Sequence, residues 1–259
     1  MMRKAPLALI AVALLLGACA SNPSTLQIGD SRNPPELRTL LRMAHQAESA
    51  GRDENAAALY RQAHELHPFD SAPLTAWGFL ANRVGSYEQA ADIFRSAMSV
   101  DEDDRDARRG LANALVNLDR PDEALVMYRD LLRDRPDDYR AWNGMGVALD
   151  MLSRHVDAQD AYREGLAAAP DNPNLANNLG LSLALTGQFD EAIEVLSDVT
   201  DERADFATAR QNLALAYGLA GEGATAAAIA QRDLPDDVVR RNLSYYQAAR
   251  FARRPTPTE

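Results

Sequence analysis

Small and apolar residues recur along this chain with a period of 34 positions, six times in succession and without an insertion. In each repeat the eighth position is alanine or glycine and the twentieth is alanine, and in the first four repeats the twenty-fourth is aromatic. The repeats begin at Leu37, Ser71, Arg105, Tyr139, Pro173 and Ala207. A fixed period of this length indicates a repeat architecture, in which each unit buries its apolar face only against its neighbours.

Within one repeat, the apolar positions follow the helical period twice. In the fourth repeat, small and apolar residues fall at the i, i+3, i+4 and i+7 positions of one helix face, namely Trp142, Met145, Gly146 and Leu149. A second face is formed by Ala158, Tyr162 and Leu166. Glycine marks the expected turn between the two helices in several repeats, and Asp119 and Ser153 replace it in two. Each repeat is therefore predicted to be a hairpin of two helices, A and B.

This pattern resembles the tetratricopeptide repeat (TPR). The resemblance implies an all-α fold, a right-handed superhelical solenoid with a C-terminal capping helix. The six repeats are predicted to span residues 37–70, 71–104, 105–138, 139–172, 173–206 and 207–235. Repeat six is poor in bulky residues between Gly221 and Ala230, so its B helix is expected to contribute little core. Residues 236–252 are predicted as the capping helix, because Val239, Leu243 and Tyr246 share a face, and residues 253–259 as a disordered tail.

The N-terminus carries a second pattern, a targeting segment. Arg3 and Lys4 precede the apolar run Leu7–Leu16, which is too short to span a bilayer as a permanent helix and is typical of a cleaved signal. Because Leu16-Gly17-Ala18 then precede Cys19, the segment resembles a bacterial lipoprotein signal. We expect residues 1–18 to be the signal peptide, and residues 19–36 to be the lipidated Cys19 with a flexible tether. An ordinary signal peptide with a chance cysteine is the alternative.

The presence of a single cysteine agrees with the lipidation hypothesis, and the residues after it predict where the protein is located. Cys19 is the only cysteine, so a mature domain in an oxidising compartment would carry no free thiol. Ala20 and Ser21 lack the aspartate that retains lipoproteins in the inner membrane, so the resemblance implies an outer-membrane lipoprotein that faces the periplasm. The covalent lipid is the one attached group that we expect, with no other cofactor.

Charge and composition exclude several functions. The chain carries a formal charge of −11, and loss of Arg3 and Lys4 with the signal would make it −13. Nucleic-acid binders show a basic footprint, and a chain whose one lysine is Lys4 offers no basic stretch for a membrane surface. Contact with a membrane is therefore expected through the lipid anchor alone. The acidic run Asp101–Asp104, at a repeat junction, is interpreted as a solvated turn rather than a calcium or partner site.

Catalytic and metal-binding chemistry is not predicted. His64 and His67 could share a helical turn, but no cysteine or clear acidic ligand accompanies them. The glycine pairs at Gly144 and Gly221 do not follow a strand, as a dinucleotide-binding loop would require. No nucleophile and base are suggested by spacing. We therefore expect a protein that is not an enzyme and holds no metal.

A binding groove can be predicted from TPR geometry. The A helices line the concave side, and the second, fifth, sixth and ninth positions face it. The predicted groove residues are Thr75, Phe79, Arg109, Asn113, Arg140, Asn143, Val147, Asn174, Asn177, Asn178, Leu181, Gln211 and Asn212. Asparagine amides can hold an extended peptide backbone because they both donate and accept hydrogen bonds. We expect binding at Asn143 and Asn177, whereas Asn178 and Asn212 could equally bridge neighbouring helices.

Two C-terminal stretches are more specific than the TPR pattern. Residues 209–222 (ARQNLALAYGLAGE), with Arg232-Asp-Leu-Pro and Arg241-Asn-Leu-Ser-Tyr-Tyr further on, resemble the TadD family of tight-adherence (Flp) pilus assembly TPR lipoproteins. The resemblance implies an outer-membrane assembly factor for a Flp pilus secretion machine, with a pilotin-like role toward the secretin. Its partners would be the secretin or other pilus-assembly components. A type IV pilus pilotin and an envelope adaptor for peptidoglycan hydrolases are the alternatives.

Overall fold

A computed structural model describes residues 36–253 of the chain. The predicted signal peptide, Cys19, the tether up to residue 35 and the tail from residue 254 lie outside the described residues. The described part is helical, without strands, and confirms the predicted all-α fold class. The helices are α1 (Leu37–Ser49), α2 (Asp53–Leu66), α3 (Ala72–Arg83), α4 (Tyr87–Val100), α5 (Arg105–Asn117), α6 (Pro121–Asp134), α7 (Tyr139–Met151), α8 (His155–Ala168), α9 (Pro173–Thr186), α10 (Phe189–Glu202), α11 (Ala207–Ala220), α12 (Gly223–Ala230) and α13 (Asp236–Arg253).

The helices form consecutive antiparallel pairs that stack on one another. Odd-numbered helices up to α11 are the A helices and even-numbered ones the B helices, and every helix from α1 to α12 packs against the next. The A helices from α3 to α11 also contact the following A helix, and α13 packs on both α11 and α12. Helix α13 therefore covers the end of the stack in the place of a seventh A helix. Helix α12 has eight residues, which agrees with the weak sixth B helix expected from the sequence.

The repeated small residues allow the large side chains of the B helices to reach the A helices. A Cβ added to Gly146 would lie 2.3 Å from the ring of Tyr162, and one added to Gly180 would lie 2.5 Å from Leu196. Phe94 similarly packs against Gly78 of its own repeat and Gly110 of the next. Since these side chains are completely buried, a larger residue at the small positions would overpack the contact.

The turns between A and B helices need a left-handed residue. Asp119 and Ser153 both adopt φ of 58° at the positions where other repeats place glycine. Aspartate tolerates this region better than most residues that carry a side chain, whereas serine does so less readily. The same turn is therefore kept in all six repeats although two of them lack glycine.

Candidate protein-binding groove

The predicted groove residues lie on five successive A helices, from α3 to α11. We call the surface that they form the groove face. Their exposure differs widely, because many of them contact the neighbouring repeat. Arg140 and Asn174 are exposed, Thr75 and Asn177 are buried, and the others are intermediate.

At the first helix of this series, both predicted residues have partners inside the protein. Thr75 is only 8% exposed, and its hydroxyl donates a hydrogen bond to Asp104, with 2.7 Å between the oxygens. The ring of Phe79 packs edge-on against Phe94, with 5.2 Å between the ring centroids. Phe79 keeps part of its surface exposed, whereas Thr75 serves to position Asp104.

On the next A helix, Arg109 and Asn113 are also engaged within the chain. The Arg109 guanidinium forms ion pairs with Asp106 and Asp138, and its side chain is 14% exposed. The side-chain oxygen of Asn113 accepts a hydrogen bond of 2.6 Å from the Tyr128 hydroxyl. Burial raises the pKa of Tyr128, so this hydroxyl remains a donor at neutral pH. The Arg109 guanidinium and the side-chain oxygen of Asn113 are thus used within the chain, and the binding of a partner by these two residues stays a prediction.

Four asparagines on three A helices form a chain of hydrogen bonds, which we call the asparagine ladder. The Asn178 amide donates to Asn143 (3.0 Å), Asn177 donates to Asn178 (3.2 Å), and Asn212 donates to Asn177 (2.8 Å). Asn177 is only 5% exposed. Its amide is used for bonds to Asn178 on α9 and Asn212 on α11, and the binding of a partner by Asn177 stays a prediction. Asn178 and Asn212 bridge neighbouring helices.

The remaining predicted groove residues leave some surface free for a partner. Arg140 is exposed, and its guanidinium lies 4.8 Å from the centroid of the Tyr139 ring. Val147 and Leu181 are partly exposed apolar side chains on α7 and α9. Gln211 donates a hydrogen bond of 3.1 Å to Asp233. The surface available at these residues and at the exposed Asn174 thus combines the Arg140 cation, a polar amide and scattered apolar patches.

A cavity beside the groove face involves residues that the sequence analysis missed. It has a volume of about 720 Å³ and lies between α1, α3 and the start of α5, next to Thr75 and Phe79. The missed lining residues include His45, Glu48, Arg83, Asp104 and Asp106. His45 holds the ninth position of the first repeat, so applying the position rule there would have found it. Asp104 was interpreted as part of a solvated turn, but it caps α5 and is half-buried.

Residues 36–253 offer neither a metal site nor a membrane-spanning helix. No group of three or more histidine, cysteine or acidic side chains in this part is placed to hold a metal ion. No helix in it is both long and apolar enough to cross a membrane.

Comparison of the sequence with known families finds one match. A sequence profile described as tetratricopeptide repeat matches residues 83–148 and 151–216, together about half of the chain. No curated protein matches the sequence.

Several solved structures have a similar fold. The structure of pilF from Pseudomonas aeruginosa is similar over 82% of this chain and 97% of its own, with a TM-score of 0.68 and 16% identity. PilW, described as a widely conserved type IV pilus biogenesis factor, covers 84% of this chain and 93% of its own, with a TM-score of 0.66 and 18% identity. YrrB, described as a TPR protein with an unusual peptide-binding site, is similar over 67% of this chain and 90% of its own, with a TM-score of 0.50 and 22% identity. At these identities the similarity concerns the fold alone.

Proposed function

This chain belongs to the tetratricopeptide repeat family, and we propose that it is a non-catalytic scaffold for assembly of a Flp-type pilus secretion machine. The observation that carries the scaffold role is the stack of helix pairs, which presents one groove face over five A helices with a cavity beside it. Such repeats extend a binding surface one unit at a time, and they bind other proteins with it. The pilus role rests on the TadD-like C-terminal stretches.

We further propose that the protein is anchored in the outer membrane and faces the periplasm. The lipobox-like sequence that ends at Cys19 supports this location. Each buried methylene of an acyl chain contributes about 0.8 kcal/mol, so a cysteine with several chains would anchor the protein stably. The following residues up to 36 include three prolines and would separate the repeats from the membrane surface.

The proposed action is pilotin-like: the groove face binds the secretin or another assembly component, and the lipid anchor carries the complex to the outer membrane. A type IV pilus pilotin is the second candidate, which the similarity in fold to pilF and PilW favours. An adaptor for peptidoglycan hydrolases is a third possibility, and it predicts altered cell shape with normal pili.

The test is the amount of heat-resistant secretin multimer in outer-membrane fractions, with and without this gene. The proposal predicts that the multimer is lost on deletion and restored by the wild-type protein, but not by Cys19→Ser. The Flp secretin and a type IV secretin are followed in the same fractions, which separates the first two candidates. If both multimers and surface pili persist, the pilus role is wrong.

A further inference from the structure

The cavity next to Thr75 and Phe79 has the size and walls of a side-chain binding pocket. Its volume of about 720 Å³ lies in the range of roughly 300–1,000 Å³ that is usual for ligand pockets. One wall is the partly exposed ring of Phe79, held edge-on by Phe94. Such a ring can support the aliphatic stem of a long side chain whose charged end reaches a polar group.

The charges around this cavity are not balanced. Arg83 is the one arginine in its lining, and it already forms ion pairs with Glu48 (3.3 Å) and Asp53 (2.8 Å). Asp106 is likewise paired with Arg109. Asp104 differs from these, because its partners are neutral groups. Among the charged side chains that line the cavity, Asp104 is therefore a carboxylate for which no ion pair with an arginine is found.

The Asp104 carboxylate is held in place by hydrogen bonds from neutral groups. One oxygen accepts from the Ser71 hydroxyl (2.8 Å) and the Thr75 hydroxyl (2.7 Å), and the other accepts from the Ala107 backbone N–H (2.8 Å). Burial acts to raise the pKa of Asp104, but the hydrogen bonds from Thr75, Ala107, Ser71 and the Asp106 backbone outweigh it and lower the pKa. Asp104 is thus an ionised carboxylate that is fixed in position in the cavity lining.

We propose that this cavity binds an arginine side chain from an extended segment of the partner protein, with its guanidinium on Asp104 and its stem against Phe79. Charge complementarity selects the occupant, since an acidic segment would meet Glu48, Asp104 and Asp106. A desolvated, charge-assisted contact of this kind gives specificity as well as affinity. The inference rests on the proposed scaffold function and adds the chemistry of the segment that is bound.

The test is fluorescence anisotropy with the full mature chain and three labelled peptide sets. In every set the flanking positions are randomised among alanine, serine and leucine. The sets differ only in the central residue, which is arginine, its neutral isostere citrulline, or glutamate. We expect the arginine set to bind about tenfold more tightly than the citrulline set, the usual effect of one charge-assisted hydrogen bond. Equal affinity for the two sets would overturn the proposal.

Asp104→Asn is the matched variant, because asparagine still caps a helix but carries no charge. It should abolish the preference for arginine, whereas Glu194→Gln, which removes one exposed charge on α10, should leave it intact. A preference that survives Asp104→Asn would contradict the proposal. The wild-type protein gives a second test: the preference should disappear near 1 M salt, where the Debye length is about 3 Å.

These outcomes are distinguishable from failure of the proposed function. If Asp104→Asn loses the preference for arginine while deletion leaves both secretin multimers and the surface pili intact, the pocket is real and the pilus role is wrong. If deletion removes the multimer but the arginine preference is absent, the scaffold function stands and only the pocket chemistry fails.

Discussion

At the scale of single residues, the asparagine ladder shows how polar groups can be used inside a repeat stack. Each amide supplies both a donor and an acceptor, so neighbouring A helices are joined without any charge. Asn177 donates to Asn178 and accepts from Asn212, although it is 5% exposed. Removal of one member would leave its neighbours in half-buried sites with unpaired groups.

Asn178→Ala is expected to lower the free energy of unfolding by about 1–3 kcal/mol, the usual cost of an unsatisfied buried polar group. The side-chain oxygen of Asn143 would lose its donor, and the amide of Asn177 its acceptor. Asn174→Ala on the same helix is the control, since Asn174 is exposed and surface changes usually stay within about 0.5 kcal/mol. Urea unfolding of both variants measures the effect. Equal stabilities would mean that the ladder does not contribute.

At the scale of the elements, α13 covers the apolar end that the last complete repeat would expose. Tyr246 is 7% exposed and packs so closely on α11 that a Cβ on Gly218 would lie 2.1 Å from its ring. Val239, Ala214 and Ala230 form a small core cluster at the same end. A terminal helix with one polar face is the usual way to close a solenoid.

Tyr246→Ala should lower stability by about 3 kcal/mol, because truncation of a buried aromatic side chain leaves a cavity. Tyr245→Ala is the matched control, since the neighbouring ring is 67% exposed and its loss should change stability by less than about 1 kcal/mol. Thermal unfolding followed by circular dichroism compares the two variants. A larger effect at Tyr245 would place the opposite face of α13 against the stack.

An ion pair also fixes the junction between α11 and α13. Arg210 is 8% exposed and donates two hydrogen bonds to Asp233, one of them 2.9 Å long, in the turn after α12. These bonds lower the pKa of Asp233, and desolvation opposes them only in part. Because the pKa in the folded state is depressed, the pair stabilises the protein above the pKa of the unfolded chain, about 3.9.

Asp233→Asn should therefore lower the melting temperature near pH 7, with a difference from wild type that shrinks below about pH 5 as Asp233 becomes protonated. Asp237→Asn is the control, because its pair with Arg241 is exposed on both sides and exposed pairs contribute about 0–1 kcal/mol. Melting curves at several pH values measure both variants. A difference that does not depend on pH would show that the charge of Asp233 is not involved.

The helix pairs could be predicted from the sequence, whereas most side-chain partners could not. The period of 34 residues placed the starts of α1, α5, α7, α9 and α11 at the observed residues, and α3 begins one residue after the predicted repeat start. The period reports what every repeat shares. Thr75 and Arg109 both hold the fifth position of their repeats, and their partners Asp104 and Asp138 both hold the last position, 29 residues further on. The period contains this pairing, but it does not show which side chains at the two positions bond to each other. Two bonds of the asparagine ladder join residues that are 35 positions apart. This spacing, one more than the repeat length, could have been recognised in the sequence.

At the scale of the whole stack of helix pairs in residues 36–253, the charge and polarity of the groove face change from one repeat to the next. The first repeats contribute the acidic cavity with Asp104, the middle repeats the exposed Arg140, and the later repeats the neutral asparagine ladder. A bound segment would therefore meet different chemistry at each repeat, which fixes its direction and register. The proposed function places the partner on the groove face and not on the B helices.

Photocrosslinking in cells tests this account most directly. Benzoylphenylalanine replaces Arg140, exposed on the groove face, or Val126, which is 56% exposed on the B helix α6. Both variants are compared for membrane-fraction level and melting temperature, so that a difference in crosslinking reflects position. We expect a crosslinked species that contains a pilus-assembly component from position 140 and none from position 126. Crosslinks from position 126 alone would contradict the account, because the partner would then bind the B-helix side.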